Sequence, residues 1–420
     1  MTKRKHIIIG SGAAALAAAQ KIRGLSTEDE IMLITKENHL PYFLAALPYL
    51  VSGKIKESDL WLVGEDYFSK TGCNLIRDKE VVEVHPDKKQ LRYKDGGSES
   101  YDTLLIATGA KPLQARIEGL EEASPLVFHT FEDYRLLQQR LTDKRDVAIY
   151  GGGLVAIELA VALLEAGHRV KIIVRSRILR RYFDPDGGEM IEGILIDKGA
   201  QVYKGRVIDK IKKVKEKVEV TLADGTSLDA DIIVIALGVK PATSFLAGSG
   251  IKLNDGVVAD RRMRTNIEDI YVAGDVAEAP EFFTDEPGLS LVLPSAIAQG
   301  RVAGCNMAGK ETEYEGWLSM NVLNFLGHSA VSIGMAVGDE GQVLKENDEE
   351  KRQFKKLVYK DDTLIGVAFL DVDVYPGVFQ YLIRKRVNVA SSAELLLQTP
   401  REASCELMLE TEHEEASPVR

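Results

Sequence analysis

The sequence predicts an α/β protein: two parallel-sheet domains built to one plan, followed by a small C-terminal α+β domain. Three observations predict it. Residues 7–15 read IIIGSGAAA and residues 147–156 read VAIYGGGLVA, each an apolar strand entering a tight glycine turn and then an alanine-rich helix. LLIATGAKP at 104–112 is echoed by IVIALGVKP at 233–241, and YVAGDVAE follows at 271–278. One glycine-rich turn is weak evidence, because such turns are common. Two in one chain, each closed by the same strand and Gly-x-Lys-Pro ending, are specific.

The physics of each turn points to a dinucleotide. Gly10 and Gly151 permit the backbone turn, and Gly12 and Gly153 leave no side chain where a pyrophosphate must approach. Ala15 and Ala156 keep each helix close to its strand. The phosphates then face free N–H groups and the positive end of a helix dipole. Each half therefore reads as a Rossmann-like dinucleotide-binding domain of the three-layer ββα type. The chain is expected to bind two dinucleotides.

The remaining elements follow in order. A helix at 13–24 leads to a strand around Ile31–Thr35. HLPYFLAALPYLVSG (39–53) is apolar, punctuated by Pro and without clear periodicity, so it reads as a buried loop lining a site. Val81–Val84 and Gln90–Lys94 form a hairpin, before a strand at 103–107. In the second half come a helix at 155–166, a strand at 169–174 and a helix at 187–198. Strands at 217–223 and 227–235 flank the turn Ala223-Asp224-Gly225. Strands at 355–360 and 364–370 and an amphipathic helix near 376–386 belong to the third domain. The expected division is 1–113 with 245–320, 114–244, 321–400, and an acidic, mobile tail over 401–420 that could dock a basic partner.

Composition excludes several functions. With 45% hydrophobic and 28% charged residues, the chain has the make-up of a globular protein. A net charge of −11 and the absence of a basic stripe argue against nucleic acid. No apolar run approaches membrane-spanning length, and the Ile7–Ile9 stretch is too short for a signal peptide. Three cysteines (Cys73, Cys305, Cys405) stand far apart with no CxxC pair. That spacing offers no iron–sulfur ligand set and speaks against zinc or a CxxxxC disulfide. It suits a reducing cytoplasm.

On GSGAAA (10–15), ATGAKP (107–112), GGGLVAIE (151–158), ALGVKP (236–241) and YVAGD (271–275), the chain resembles the pyridine nucleotide-disulfide oxidoreductase superfamily. Within it, the resemblance is strongest to the NADH oxidase, coenzyme A-disulfide reductase and rubredoxin reductase branch. It also resembles the FAD subunits of phenylglyoxylate dehydrogenase and tungsten aldehyde oxidoreductase complexes.

The resemblance implies that 1–113 with 245–320 binds FAD and 114–244 binds NAD(P)H. Gly10, Gly12 and Ala15 would form the FAD pyrophosphate turn, with Ala107, Thr108 and Gly109 beside it. The Glu37 region would face the adenosine ribose, although the position that carries the family's acid is Thr35 here. Val81 resembles the residue whose backbone meets adenine. Gly274 and Asp275 resemble the ribityl-binding pair, a role compatible with Asp275 being a helix N-cap. PSAIAQG (294–300), with Ala296, resembles the helix whose N-terminus faces the flavin pyrimidine carbonyl.

For NAD(P), the resemblance assigns Gly151, Gly153, Leu154, Val155 and Gly238 to the nucleotide, and Glu158 to the nicotinamide amide. Leu154 stands where related disulfide reductases carry an aromatic gate. Arg175 and Arg181 are spaced like arginines that grip the 2′-phosphate of NADPH. The alternative is that Arg175, Arg177, Arg180 and Arg181 form a solvated patch that also tolerates NADH.

The most diagnostic departure is Ala45. The NADH oxidases and coenzyme A-disulfide reductases place one cysteine beside the flavin in a Cys-Gly-Leu-Pro-Tyr context, and this chain reads Ala45-Ala46-Leu47-Pro48-Tyr49. A methyl group forms no sulfenic acid, persulfide or mixed disulfide. Cys73 lies outside the motif. Sulfide–quinone chemistry would need a mid-chain cysteine pair, and none occurs between Cys73 and Cys305.

What remains is transfer through the flavin itself, with N5 as the reactive centre and no side chain assigned as catalytic. His39 and Tyr42 either line the flavin or merely pack the loop. The expected partner is an iron–sulfur protein or subunit, a ferredoxin or a rubredoxin, in a hetero-complex or homo-oligomer. Two rivals stay open: a free-standing NAD(P)H oxidase or small-acceptor reductase, and a non-catalytic flavoprotein scaffold or redox sensor.

Overall fold

A computed structural model describes residues 3–338 and 340–416. The chain divides into two compact units. One comprises the residues up to Leu47, Ile55–Leu113 and Val239–Leu318; the other comprises Pro48–Lys54, Gln114–Gly238 and the residues from Ser319 onward.

The first unit is built on a five-stranded parallel sheet, in the order Ile270–Val272, Thr103–Ile106, Lys5–Ile9, Glu30–Ile34 and Cys73–Ile76. Its strands are near-continuous apolar runs because both faces are covered. Ile7, Ile8, Leu33, Leu104 and Ile106 are all buried. Helices Ala13–Leu25 and Leu293–Met307 pack closely; a Cβ on Gly300 would fall 2.2 Å from the Ala14 carbonyl oxygen. An antiparallel layer of Val81–His85, Gln90–Tyr93 and Ser98–Ser100 completes the three-layer plan.

The echoed sequences turn out to be partners. Ala110–Pro112 and Val239–Pro241 pair antiparallel, Lys111 opposite Lys240. That pairing carries the chain into the first unit at Val239, ahead of the expected crossing after 244.

The second unit repeats the plan with a parallel sheet ordered Gln201–Lys204, Arg169–Val174, Asp146–Tyr150 and Ile232–Ile235. Its antiparallel layer comprises Ile208–Val214, Lys217–Leu222 and Ser227–Ala230. The single strand expected over 227–235 is therefore two strands in two sheets. The switch is Asp231, whose N–H donates to the Asp146 carbonyl (2.8 Å) while its carboxylate accepts from the Asp146 N–H (2.8 Å).

A five-stranded antiparallel sheet follows, ordered Met320–Phe325, His328–Gly334, Thr363–Leu370, Gln353–Lys360 and Gln342–Asp348. Helices Pro376–Arg384 and Ala393–Gln398 come after it.

Two expectations are corrected. The 39–53 segment is not wholly irregular: it contains a 3-10 turn at Leu44–Ala46 and a short helix at Leu47–Val51. Residues Pro400–Ala416 form a helix where a mobile tail was expected, seated by buried Ala403 and Ser404. Positions 417–420 of that tail lie outside the described residues.

Candidate functional site

The first glycine turn is built by backbone contacts. Gly10 has φ +117°, and a Cβ there would sit 2.1 Å from the Ala107 carbonyl oxygen. Its N–H donates to Ile34 O (2.8 Å), so the turn is stitched to the end of the second strand. Gly12 begins helix Ala13–Leu25 without a side-chain cap, and its Cβ position has nothing within 4 Å among the described residues. The arrangement leaves open space in front of uncapped helix N–H groups, which is what a pyrophosphate needs. Ala15 is fully buried behind it.

Around this turn, Ala107 donates its N–H to Ile9 O (2.8 Å), and Thr108 Oγ1 donates to Ala242 O (3.0 Å). Gly109 has φ +65° and leads into the paired ribbon. Thr35, first residue past the second strand, is buried, whereas Glu37 is half-buried and accepts from the Tyr42 hydroxyl (3.3 Å). Val81 starts its strand buried, opposite Tyr93.

Gly274, at φ +84°, packs towards Ala14 and Ala296, and half-buried Asp275 follows it. The Gly274 N–H donates to Gln299 Oε1 (2.8 Å). Gln299 is fully buried, and its Nε2 has no hydrogen-bond partner among the described residues. A buried amide donor left open is costly without a ligand. Helix Leu293–Met307 begins nearby in sequence with no side-chain cap. Gln299 is not among the residues the sequence singles out, since one amide among the small residues of AIAQGRVAG marks no site by itself.

The second turn repeats the first. Gly151 has φ +149°, its Cβ would fall 2.1 Å from Ala236 O, and its N–H donates to Ile173 O (2.9 Å). Gly153 begins helix Leu154–Glu165 uncapped, again with nothing within 4 Å of its Cβ position among the described residues. Leu154 is half-buried and Val155 exposed, while Ala156 is buried. Gly238, with φ +106°, is exposed past the fourth strand.

Beyond this turn the electrostatics change. Burial alone pushes the Glu158 carboxyl up to about 7. Burial also raises the Tyr182 hydroxyl, opposed by the Arg181 guanidinium and reinforced by Glu158, so these three side chains share one field. Arg177 is spent on the loop itself, donating from Nη1 to Phe183 O (2.6 Å) and from Nη2 to Arg180 O (3.2 Å). Arg175, Arg180 and Arg181 are exposed, with no ion pair among the described residues. The loop hangs on the turn: Leu179, at φ +47°, donates its N–H to Gly152 O (2.7 Å).

Ala45 is exposed in the Leu44–Ala46 turn. Cys73 and Cys305 are buried, Cys405 is half-buried, and all three are unpaired. Among the described residues, no cluster of His, Cys, Asp or Glu could hold a metal ion, and no helix is long and apolar enough to cross a membrane.

The residues present fit two dinucleotides: an open uncapped helix start at each turn, and a buried amide donor beside the first. Comparison with known proteins agrees. A family profile described as pyridine nucleotide-disulphide oxidoreductase matches residues 4–300. The chain is similar to the NADH-dependent phenylglyoxylate dehydrogenase subunit epsilon of Aromatoleum evansii, 32% identical over 412 residues, 97% of this chain and 98% of that protein. It is 34% identical over 320 residues to an NADH oxidase of Methanocaldococcus jannaschii, covering 74% of this chain and 71% of that one. An NADH-rubredoxin oxidoreductase of Clostridium acetobutylicum is 27% identical over 84% of this chain and 87% of its own. The fold matches a chain of the covalent putidaredoxin reductase–putidaredoxin complex with a TM-score of 0.86 at 21% identity, over 95% of this chain and 99% of that one. This chain thus belongs to the pyridine nucleotide-disulphide oxidoreductase family and is an FAD-dependent NAD(P)H oxidoreductase.

Proposed function

We propose that this oxidoreductase passes electrons between NAD(P)H and a protein redox carrier, an iron–sulfur subunit, ferredoxin or rubredoxin, as the FAD subunit of a larger complex. The observation that carries the reading is Ala45: both glycine turns are intact, but the position resembling the cysteine of the NADH oxidases and coenzyme A-disulfide reductases carries a methyl group. FAD, when bound, supplies hydride exchange with nicotinamide and single-electron exchange with a carrier. The similarity to a dehydrogenase subunit over nearly the whole chain supports the subunit role. Unpaired cysteines support a reducing compartment such as the cytoplasm.

The chain's residues then bind and orient. The Gly10–Gly12 turn holds the FAD pyrophosphate, with Gly274, Asp275 and Gln299 bearing on the flavin end. The Gly151–Gly153 turn holds that of NAD(P)H. Glu158, poised near neutrality, holds or releases a proton beside the nicotinamide amide. Arg175 and Arg181 offer guanidinium groups to a 2′-phosphate, which favours NADPH.

Purification of the tagged protein from its native cells tests the reading. Co-purifying iron–sulfur subunits, with slow O2 consumption by the isolated flavoprotein, are expected. Fast O2 reduction by the isolated chain with no partner recovered would replace this reading with the free-standing oxidase.

A further inference from the structure

Lys356 is fully buried, a rare place for a lysine. It lies in strand Gln353–Lys360 of the C-terminal sheet, and its Nζ donates to Asp184 Oδ2 (2.6 Å) and to Gly338 O (2.6 Å). Asp184 Oδ1 accepts from the Gly338 N–H (3.2 Å). Asp184 is also the N-cap residue of helix Pro185–Asp197, yet its side chain caps nothing in that helix. An aspartate at an N-cap usually accepts from its own helix. Here the carboxylate is turned outward to the C-terminal sheet.

The neighbouring contacts run the same way. Phe183 meets Phe354 edge-on, with ring centroids 6.5 Å apart. The helix carries two adjacent glycines, a pattern that costs about 1 kcal/mol per residue relative to alanine. Both have a reason: a Cβ on Gly187 would crowd the Phe354 ring at 3.3 Å, and one on Gly188 would crowd Arg177 Nη1 at 3.2 Å. Lys345 adds an ion pair to Asp186 (2.6 Å), and Arg352 pairs with Asp197.

Asp184 ends the arginine loop. Phe183 beside it accepts from Arg177, which also ties down Arg180 O, and Leu179 fastens the same loop to Gly152. From Lys356 to the second glycine turn, the contacts are continuous. A buried ion pair adds little net stability, because desolvation offsets its attraction; what it fixes is geometry.

We infer that Lys356 and Asp184 are positioning residues for nucleotide binding: the C-terminal sheet, through this buried pair, holds the 175–183 loop so that Arg175, Arg180 and Arg181 present their guanidinium groups to the phosphate of an adenosine 2′-phosphate. The inference rests on the reading that this loop contacts NADPH. The pair touches no substrate itself and acts only through the loop.

The test uses the full-length, FAD-loaded protein and anaerobic rapid-mixing reduction of the flavin by NADPH and by NADH. Three variants are compared with the parent: Lys356→Met, the double variant Lys356→Met/Asp184→Asn, and Arg181→Ala. Removing one charge strands the other, so Lys356→Met lowers the melting temperature; removing both restores much of it. The positioning role predicts that Kd for NADPH rises about tenfold in both Lys356 variants, whatever their melting temperature, with the limiting rate of flavin reduction changed less than about twofold. Kd for NADH should rise less.

Kd values that stay at the parent value, or that recover with the melting temperature in the double variant, would overturn the inference. Arg181→Ala separates its two layers. If that variant weakens NADPH binding while the Lys356 variants do not, only the positioning role falls. If Arg181→Ala leaves NADPH binding unchanged, the loop reading falls and the positioning role with it.

Discussion

The two glycine turns are near-copies in backbone and opposites in chemistry. Gly10 and Gly151 each sit 2.1 Å, by their would-be Cβ, from the carbonyl oxygen of the residue just past the strand across the turn. Each donates its N–H to the end of the next strand, and each is followed by a helix start open at the second glycine. Past that strand they part. The first turn is followed by buried Thr35 and the carboxylate of Glu37, the second by Arg175, Arg180 and Arg181. On the proposed reading, the turn binds the dinucleotide and the strand end selects which one.

The largest effects should come from breaking the shared part. Gly151→Ala places a methyl group against Ala236 O in a backbone region that costs about 1–3 kcal/mol for any other residue. The protein should keep its FAD while nucleotide-driven flavin reduction falls about a hundredfold or more. Gly10→Ala should yield protein without FAD that still binds NAD(P)H. Flavin content and nucleotide titration check both, and a variant at either turn that loses both ligands would contradict a separate role for each turn.

Gly12→Val and Gly153→Val sharpen it. Neither position is crowded or at positive φ, so melting temperatures should move little, while each variant loses the ligand of its own turn. Binding measured by flavin fluorescence and by nucleotide titration reads the two separately.

Smaller effects test the part that differs. Arg175→Glu should lower kcat/KM for NADPH about ten- to a hundredfold, the worth of one charge-assisted hydrogen bond, and change NADH use much less. Equal losses would make the arginines a general basic patch.

A modest effect should appear at Glu158. Its carboxyl titrates at about 7 in the folded protein against an ordinary 4.5, so the native state holds an extra proton between those values. The stability tied to that proton is complete below 4.5 and is lost as pH rises through about 7. Glu158→Gln should flatten the stability–pH curve there and remove any transition near neutrality in flavin reduction.

Much of this was legible in the sequence, and the reasons for the misses are physical. The glycine turns could be read because they answer a local backbone demand. The split at Asp231 could not, since one continuous β pattern hides a change of sheet. Gln299 carries no sequence signature; only complete burial with an open donor singles it out. Lys356 reads as one more polar residue in QFKKLVYK until the Asp184 carboxylate is seen beside it. The charge-rich C-terminal segment looked unanchored because its seat on Ala403 and Ser404 involves small residues.

On the proposed function, electrons pass between nicotinamide and a carrier through this chain without a thiol. The most direct test is an anaerobic titration of the FAD-loaded protein with NADH and with NADPH separately, followed by an oxidised iron–sulfur protein, using Cys73→Ser alongside the parent. The flavin should bleach with nucleotide and recover its colour as the carrier is reduced, equally in both proteins. Flavin that stays oxidised under excess of both nucleotides, or that passes electrons on only when Cys73 is present, would contradict the account.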